Sequence, residues 1–318
     1  MKRSLLVAAL STLAAGSALA QSSVTVYGRL NTTIENQDDG SNDKWLMNNN
    51  ASRLGFRGTE DLGGGLKANF TLEHRFNSDT GRATNPAFWG GAGETSVSLV
   101  SKAGMVKAGH YTSEAYYATA DVAGLLNHDT GTSSDFLYKY LNNDDNKASY
   151  RTPEFAGVWA ELAVLLGEGV QPNRAYDFAA NWASGPFGVG FGYEKSPTLD
   201  YQYGIRGSYS ASPFTIAGYF QRFSSEGADK AKNIYRLSGQ YDIGALELHL
   251  SGGMADELDG TGIAFDEGKA RQITTGLNYN LSKRTKLYGY YSRVDIDGIN
   301  GGADQEQTNI AVGVRHNF

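Results

Sequence analysis

The chain has 318 residues, no cysteine and a formal net charge of −6. An acidic chain is a poor partner for nucleic acid, and a chain without thiols has neither disulfide staples nor a cysteine nucleophile. Beyond the N-terminus no segment has the roughly 18 consecutive apolar residues of a spanning helix, which excludes a helical membrane protein but not a stranded one, whose lipid-facing residues are only every second residue.

The first residues read as a targeting segment. Lys2 and Arg3 are basic, residues 5–15 are apolar, and Ala18 and Ala20 are small residues placed before a cut between Ala20 and Gln21. This predicts a secretory signal peptide over 1–20 and a single barrel domain over 21–318. The alternative, a retained membrane anchor, meets a short apolar run followed at once by the polar Gln21-Ser22-Ser23.

Residues 24–35 alternate, with Val24, Val26, Leu30 and Ile34 against Thr25, Tyr27, Arg29, Asn31 and Glu35. Alternation of this kind is a strand with one apolar and one polar face. A polar loop is read through Asp38-Asp39-Gly40 and Asn48-Asn49-Asn50. Residues 52–59 and 66–76 are the second and third strands, joined by a glycine turn. Further strands are read at 94–101, 105–111, 146–152, 157–166, 174–184, 187–195, 201–211, 214–223, 232–241, 245–254, 271–281, 285–295 and 307–318. That makes sixteen. Forty glycines, 19 tyrosines and only 6 prolines suit such a protein, because tyrosine favours membrane interfaces and proline breaks strand ladders.

The connections sort by length. Short turns fall at 60–65, 102–104, 153–156, 185–186, 212–213, 242–244 and 282–284, and longer segments rich in Asp, Asn and Gly fall between them. Short turns at one end and long loops at the other mark an up-and-down antiparallel barrel. A β-sandwich need not sort its connections this way, and a propeller would show a fixed repeat, which is absent. The polar faces carry Arg29, Arg53, Arg57, Lys67, Glu73 and Arg75. Sixteen strands enclose too wide a space for side chains to fill, so a polar inner face holds water. The last strand sets Ile310, Val312, Val314 and Phe318 against Asn309, Ala311, Gly313, Arg315 and Asn317. Closing it on the first strand removes both open edges.

Four stretches carry a family resemblance. They are Q-S-S-V-T-V-Y-G-R-L from Gln21, S-R-L-G-F-R-G-T-E-D-L-G-G-G-L-K-A over 52–68, L-S-K-R-T over 281–285 and the terminal G-V-R-H-N-F. Together they resemble the general porins of Gram-negative bacteria, most of all the beta-proteobacterial branch. The resemblance implies an all-β fold, a 16-stranded transmembrane barrel in the outer membrane, with the third loop folded inward. It also implies a homotrimer and a role for Phe318 as an assembly signal read by the barrel-assembly machinery.

The third connection, about 112–145, holds Glu114, Asp121, Asp129 and Asp135 beside Tyr116, Tyr117, Leu125, Leu126, Phe136 and Leu137. So much apolar surface suggests packing against a wall, as a constriction loop, rather than an external flap. The basic residues Arg29, Arg53, Arg57, Lys67, Arg75 and Lys107 are the candidate positive wall opposite it, or simply charges in a wet interior. Glu94 stands where the family tends to carry a basic residue, which weakens any anion preference.

The histidines show no metal-ligand spacing, and the acidic pairs Asp38-Asp39, Asp144-Asp145 and Asp256-Glu257 read as solvated loop charge rather than calcium or lipopolysaccharide sites. No nucleophile elbow, phosphate loop or dinucleotide fingerprint is present, so neither catalysis nor a cofactor is expected. The expectation is a passive, water-filled channel for ions and small hydrophilic solutes with weak anion preference, embedded among outer-membrane lipid and lipopolysaccharide. The rivals are a substrate-specific channel for a small anion or organic acid, a barrel enzyme, and an adhesin.

Overall fold

The computed structural model describes residues 23–85, 88–89, 93–126, 137–138, 140, 144–167, 174–196, 199–225, 231–256, 269–297 and 304–318. The expected signal segment with Ala20 and Gln21 lies outside the described residues, as do Asp129 and Asp135.

In chain order the strands are β1 (Ser23–Asp38), β2 (Asp43–Asn49), β3 (Arg53–Gly63), β4 (Leu66–Arg75), β5 (Thr95–Ser101) and β6 (Gly104–Tyr111). Two short helices follow, α1 (Glu114–Ala118) and α2 (Ala120–Ala123). Then come β7 (Asp144–Arg151), β8 (Val158–Leu165), β9 (Ala175–Ser184), β10 (Phe187–Lys195), β11 (Leu199–Ala211) and β12 (Phe214–Ser225). The last are β13 (Lys232–Ile243), β14 (Leu246–Ala255), β15 (Ala270–Asn280), β16 (Thr285–Ile296) and β17 (Gln305–Asn317). All pair antiparallel in one sheet, and β17 returns to β1, so the sheet closes.

The seventeen strands fill sixteen wall positions. β1 is long, and one of its edges pairs with β2 over residues 32–38 and with β3 over 23–29. The expected polar loop before the second strand is therefore corrected: residues 43–49 are strand. Their polar composition hides the alternation of outward Trp45 and Met47 with Lys44, Leu46 and Asn48, and only the overhang of β1 supplies the partner. Between β2 and β3 the chain turns through Ala51, at φ 56°. The gap is sealed by side chains. Asn50 N–H donates to Asn31 O at 2.8 Å, Asn31 Nδ2 donates to Asn50 O at 3.0 Å, and Asn31 N–H donates to Ser52 Oγ at 3.0 Å. Buried backbone groups at a break need such partners.

Burial is inverted relative to a water-soluble protein. Val24 is 65% exposed and Leu250 58%, whereas Glu35, Glu194 and Gln202 are 0% exposed. The outer face is apolar because its solvent is lipid, and aromatic pairs band it near the short turns, with Phe187–Tyr209 centroids 5.3 Å and Phe214–Tyr241 centroids 4.8 Å apart. Closure is completed at the C-terminus. Gly28 N–H donates to Phe318 O at 3.0 Å, and Phe318 N–H donates to Gly28 O at 3.1 Å. The Phe318 ring lies over Gly28, where a Cβ would come within 2.3 Å of it.

Candidate functional site

The third connection enters the barrel. Ser113 caps α1, its side chain accepting from Tyr116 N–H at 3.1 Å. A second cap comes from the wall: the Asp177 carboxylate on β9 accepts from Glu114 N–H at 2.8 Å and Ala115 N–H at 3.0 Å. Negative charge at a helix start is favourable. Lys147 on β7 donates to Asp177 at 2.6 Å, both side chains fully buried, and its ammonium lies 4.8 Å from the centre of the Tyr111 ring. Burial pushes the Glu114 carboxyl up to about 7, and Glu161 pushes the same way.

Past this anchor the loop lies on the wall at backbone contact. β10 reads Phe-Gly-Val-Gly-Phe-Gly from Phe187, so its lumen-facing positions are glycine. A Cβ on Gly190 would lie 1.9 Å from Ala118 O, and one on Gly192 would lie 2.7 Å from Ala115 Cβ. The helices answer with small residues, Ala115, Ala118, Ala120 and Ala123, all buried. Arg206 on β11 donates through Nε to Ala118 O at 2.9 Å, and Arg236 on β13 donates to Leu137 O at 3.1 Å. Tyr116 packs against Tyr138 and Tyr140, with centroids 5.3 and 5.6 Å apart. The principal apolar core of the protein lies here, between loop and wall, where Leu137 and Tyr140 meet Tyr219, Phe223, Ile234 and Val294.

The opposite arc is charged. Arg29 stands opposite Arg53 in strand register, and Arg53 opposite Arg75. Like charges side by side repel, and Glu73 lies among them. Arg75 Nε donates to it at 3.1 Å, Arg53 is 3.6 Å away, and Tyr27 OH donates to it at 3.1 Å. The Arg57 guanidinium lies 5.1 Å from the centre of the Tyr27 ring, and Arg29 Nε donates to Asn317 Oδ1 at 3.4 Å. Lys107 pairs with Glu94 at 2.9 Å and sits 4.0 Å from the Tyr111 ring centre. Lys67 is placed apart. It is exposed beside the β3–β4 turn, opposite Asp61 and Val100, eight residues and roughly 26 Å along the strand from Arg75.

Charge links the two sides. Tyr117 on α1 is 44% exposed, yet the surrounding barrel raises its hydroxyl pKa. Asp121 and Glu94 push it in the same direction, and Arg75 opposes them. Tyr117 and Asp121 on the loop thus share one electrostatic space with Arg75 and Glu94 on the wall. Glu114 sits in the anchor beside Asp177, where the charges of Glu161, Lys107, Asp177 and Lys147 act on it. Sequence reasoning missed this anchor, as well as Arg206 and Arg236. Glycine at alternate positions of β10 is the signal that marks the seat of the loop. Among the described residues no cluster of His, Asp and Glu is placed to hold a metal ion.

Residues 6–300 match the family described as Gram-negative porin. The chain belongs to that family. The porin is 31% identical to outer membrane porin protein 32 of Delftia acidovorans and 28% identical to an outer membrane porin protein of Bordetella pertussis, across the whole of each chain. Among solved structures it is similar to an anion-selective porin from Comamonas acidovorans, with a TM-score of 0.74 and 26% identity over 94% of this chain and 100% of that one. OmpF of Salmonella typhi, at 14% identity and a TM-score of 0.71 over 93% of this chain and 97% of that one, shares the fold. The porin is an outer-membrane channel, and its relatives are channels rather than enzymes.

Proposed function

We propose that this porin passes ions and small hydrophilic solutes through a constriction with weak anion preference. The observation that carries this reading is the in-register row Arg29–Arg53–Arg75, on an arc of wall away from the strands that α1 and α2 pack against. Arg57 and Lys107 extend the basic side, and Tyr117 and Asp121 face it. Glu73 and Glu94 offset part of the charge, which makes the preference weak. Lys67 acts at the short-turn mouth, and Glu114 fixes the loop rather than touching solute. The solved relative described as anion-selective supports the sign.

Around this channel we assign cleavage between Ala20 and Gln21, assembly as a homotrimer, and recognition of the closing Phe318 strand by the barrel-assembly machinery. Outer-membrane lipid and lipopolysaccharide surround it. Single-channel recording in a planar bilayer tests the core of the reading. Conductance should rise in near proportion to KCl concentration, and a KCl gradient should give a small zero-current potential of the anion-selective sign. Saturation of the current carried by one organic acid as the sole permeant anion, at low concentration, would instead favour a substrate-specific channel. Deleting Phe318 should sharply reduce heat-modifiable barrel in the membrane.

A further inference from the structure

At the short-turn rim of the barrel a recess of about 330 Å³ opens between β8, β9, β10 and β11, reaching Trp159, Asn181 and Arg206 on the inner face and Trp182 and Phe187 on the outer. It is at the small end of ligand-site volumes. Gly185 leaves bare backbone at its edge, Ser208 and Arg206 cover Gly188, and its walls include Trp159 and Asn181. Trp159 is on the lumen face, in step with the buried Glu161 and Ala163. A large indole in a wet lumen serves no lipid contact.

The charge of the recess differs from that of the paired cations of the pore. Arg53, Arg75, Lys107 and Lys147 each have a carboxylate partner. Arg206 is only 7% exposed, and its bonds go to neutral acceptors: Ala118 O at 2.9 Å, Ser208 Oγ at 2.9 Å and Asn181 Oδ1 at 3.2 Å. Arg151 rests 3.7 Å from the centre of the Trp159 ring. Among the described residues neither arginine pairs with a carboxylate. Asn181 Nδ2 is a buried donor without an acceptor. The exposed Glu154 at the rim is the acid that lines the recess. Buried positive charge without a counter-ion favours an anion, and an indole face favours a planar apolar body.

We propose that this recess is a low-affinity binding site for small planar organic anions, of which an aromatic monocarboxylate is the simplest. The carboxylate lies in the field of Arg206 and Arg151, and the ring packs against Trp159. A solute that has crossed the constriction is held briefly before it leaves by the short-turn mouth. The proposal rests on the channel reading above and adds a solute class to it.

The test is single-channel current of the intact porin in KCl with sodium benzoate, acetate or benzamide added on the short-turn side. Benzoate should reduce the current saturably, and acetate and benzamide at equal concentration should do so far less. In Trp159→Leu the benzoate concentration for half effect should rise about fivefold. Where that variant yields no folded barrel, Ser210→Phe, an exposed position lining the recess, should produce the same shift by filling it. Equal block by acetate would mean a general anion effect, and equal block by benzamide would mean that charge is irrelevant. Either result overturns the site, as does unchanged benzoate block in the variant. Absence of KCl conductance in the unaltered porin would defeat the channel reading instead.

Discussion

The two sides of the inner wall are built by opposite means. On β10 the wall offers glycine at Gly190 and Gly192, and the loop offers alanine, so backbones meet with no room for a side chain. From β1 to β4 the wall offers long cationic side chains on which no part of α1 or α2 packs. One side fixes where the loop is, and the other carries the charges proposed to decide what passes it. Position therefore depends on dry packing and buried polar clamps, and on the proposed reading selectivity depends on charges left in water. The first should be sensitive to volume and the second to salt and charge.

Volume changes should have the largest effect. Gly190→Val drives a side chain into Ala118 O, where the obstacle is backbone and cannot swing aside. Overpacking of this kind costs about 1–3 kcal/mol or more. The loop should leave its seat, and single-channel conductance should rise at least about twofold. Gly207→Val is the matching control: it lies one strand away, with nothing within 4 Å of its Cβ, and should leave conductance and unfolding midpoint unchanged.

The buried clamp should come next. Lys147→Met leaves Asp177 fully buried without its cation, a loss of about 3–5 kcal/mol. The two α1 amide bonds to Asp177 remain, so the lower end of that range is expected from urea unfolding in detergent.

A smaller effect should appear with pH. The Glu114 carboxyl is raised by burial to about 7 in the folded porin, whereas the unfolded chain ionises in the ordinary carboxylate range. Between those values the folded state holds the extra proton, so stability falls as pH rises towards 7. The unfolding midpoint should be higher near pH 5 than near pH 8, and Glu114→Gln should reduce that difference. An unchanged pH dependence in Glu114→Gln would place Glu114 outside the anchor.

These contrasts follow what the sequence could and could not disclose. Strand alternation was legible because lipid outside and water inside impose opposite polarity on successive residues. Val24 and Val26 against Tyr27 and Arg29 needed no partner to be understood. Residues 43–49 were not legible, since their strand exists through the overhang of β1. The arginines were identified by parity, but parity carries no height, so Lys67 was grouped with Arg75 although a full strand length separates them. Glu114 and Asp121 looked alike as loop acids. Only the fold shows one bound at a capped helix start against the wall and the other beside Tyr117.

On the charged side the expected effects are modest. Two unit charges about 8 Å apart, at an effective dielectric near 40, interact by roughly 1 kcal/mol. That is about fivefold in ion ratio before screening, and physiological salt reduces it. Arg53→Ser should therefore move the permeability ratio towards cations by about twofold to fivefold. Lys67→Ser, in the exposed short-turn mouth, should move it least of all.

The most direct measurement is the zero-current potential across a KCl gradient for the unaltered porin and for the triple variant Arg29→Ser, Arg53→Ser, Arg75→Ser. The expected result is a small anion-selective potential that crosses to the cation-selective sign in the triple variant, despite a net charge that is already −6 in the unaltered chain. Strong cation selectivity in the unaltered porin, or an unchanged potential in the triple variant, would contradict the claim that the arginine row sets selectivity.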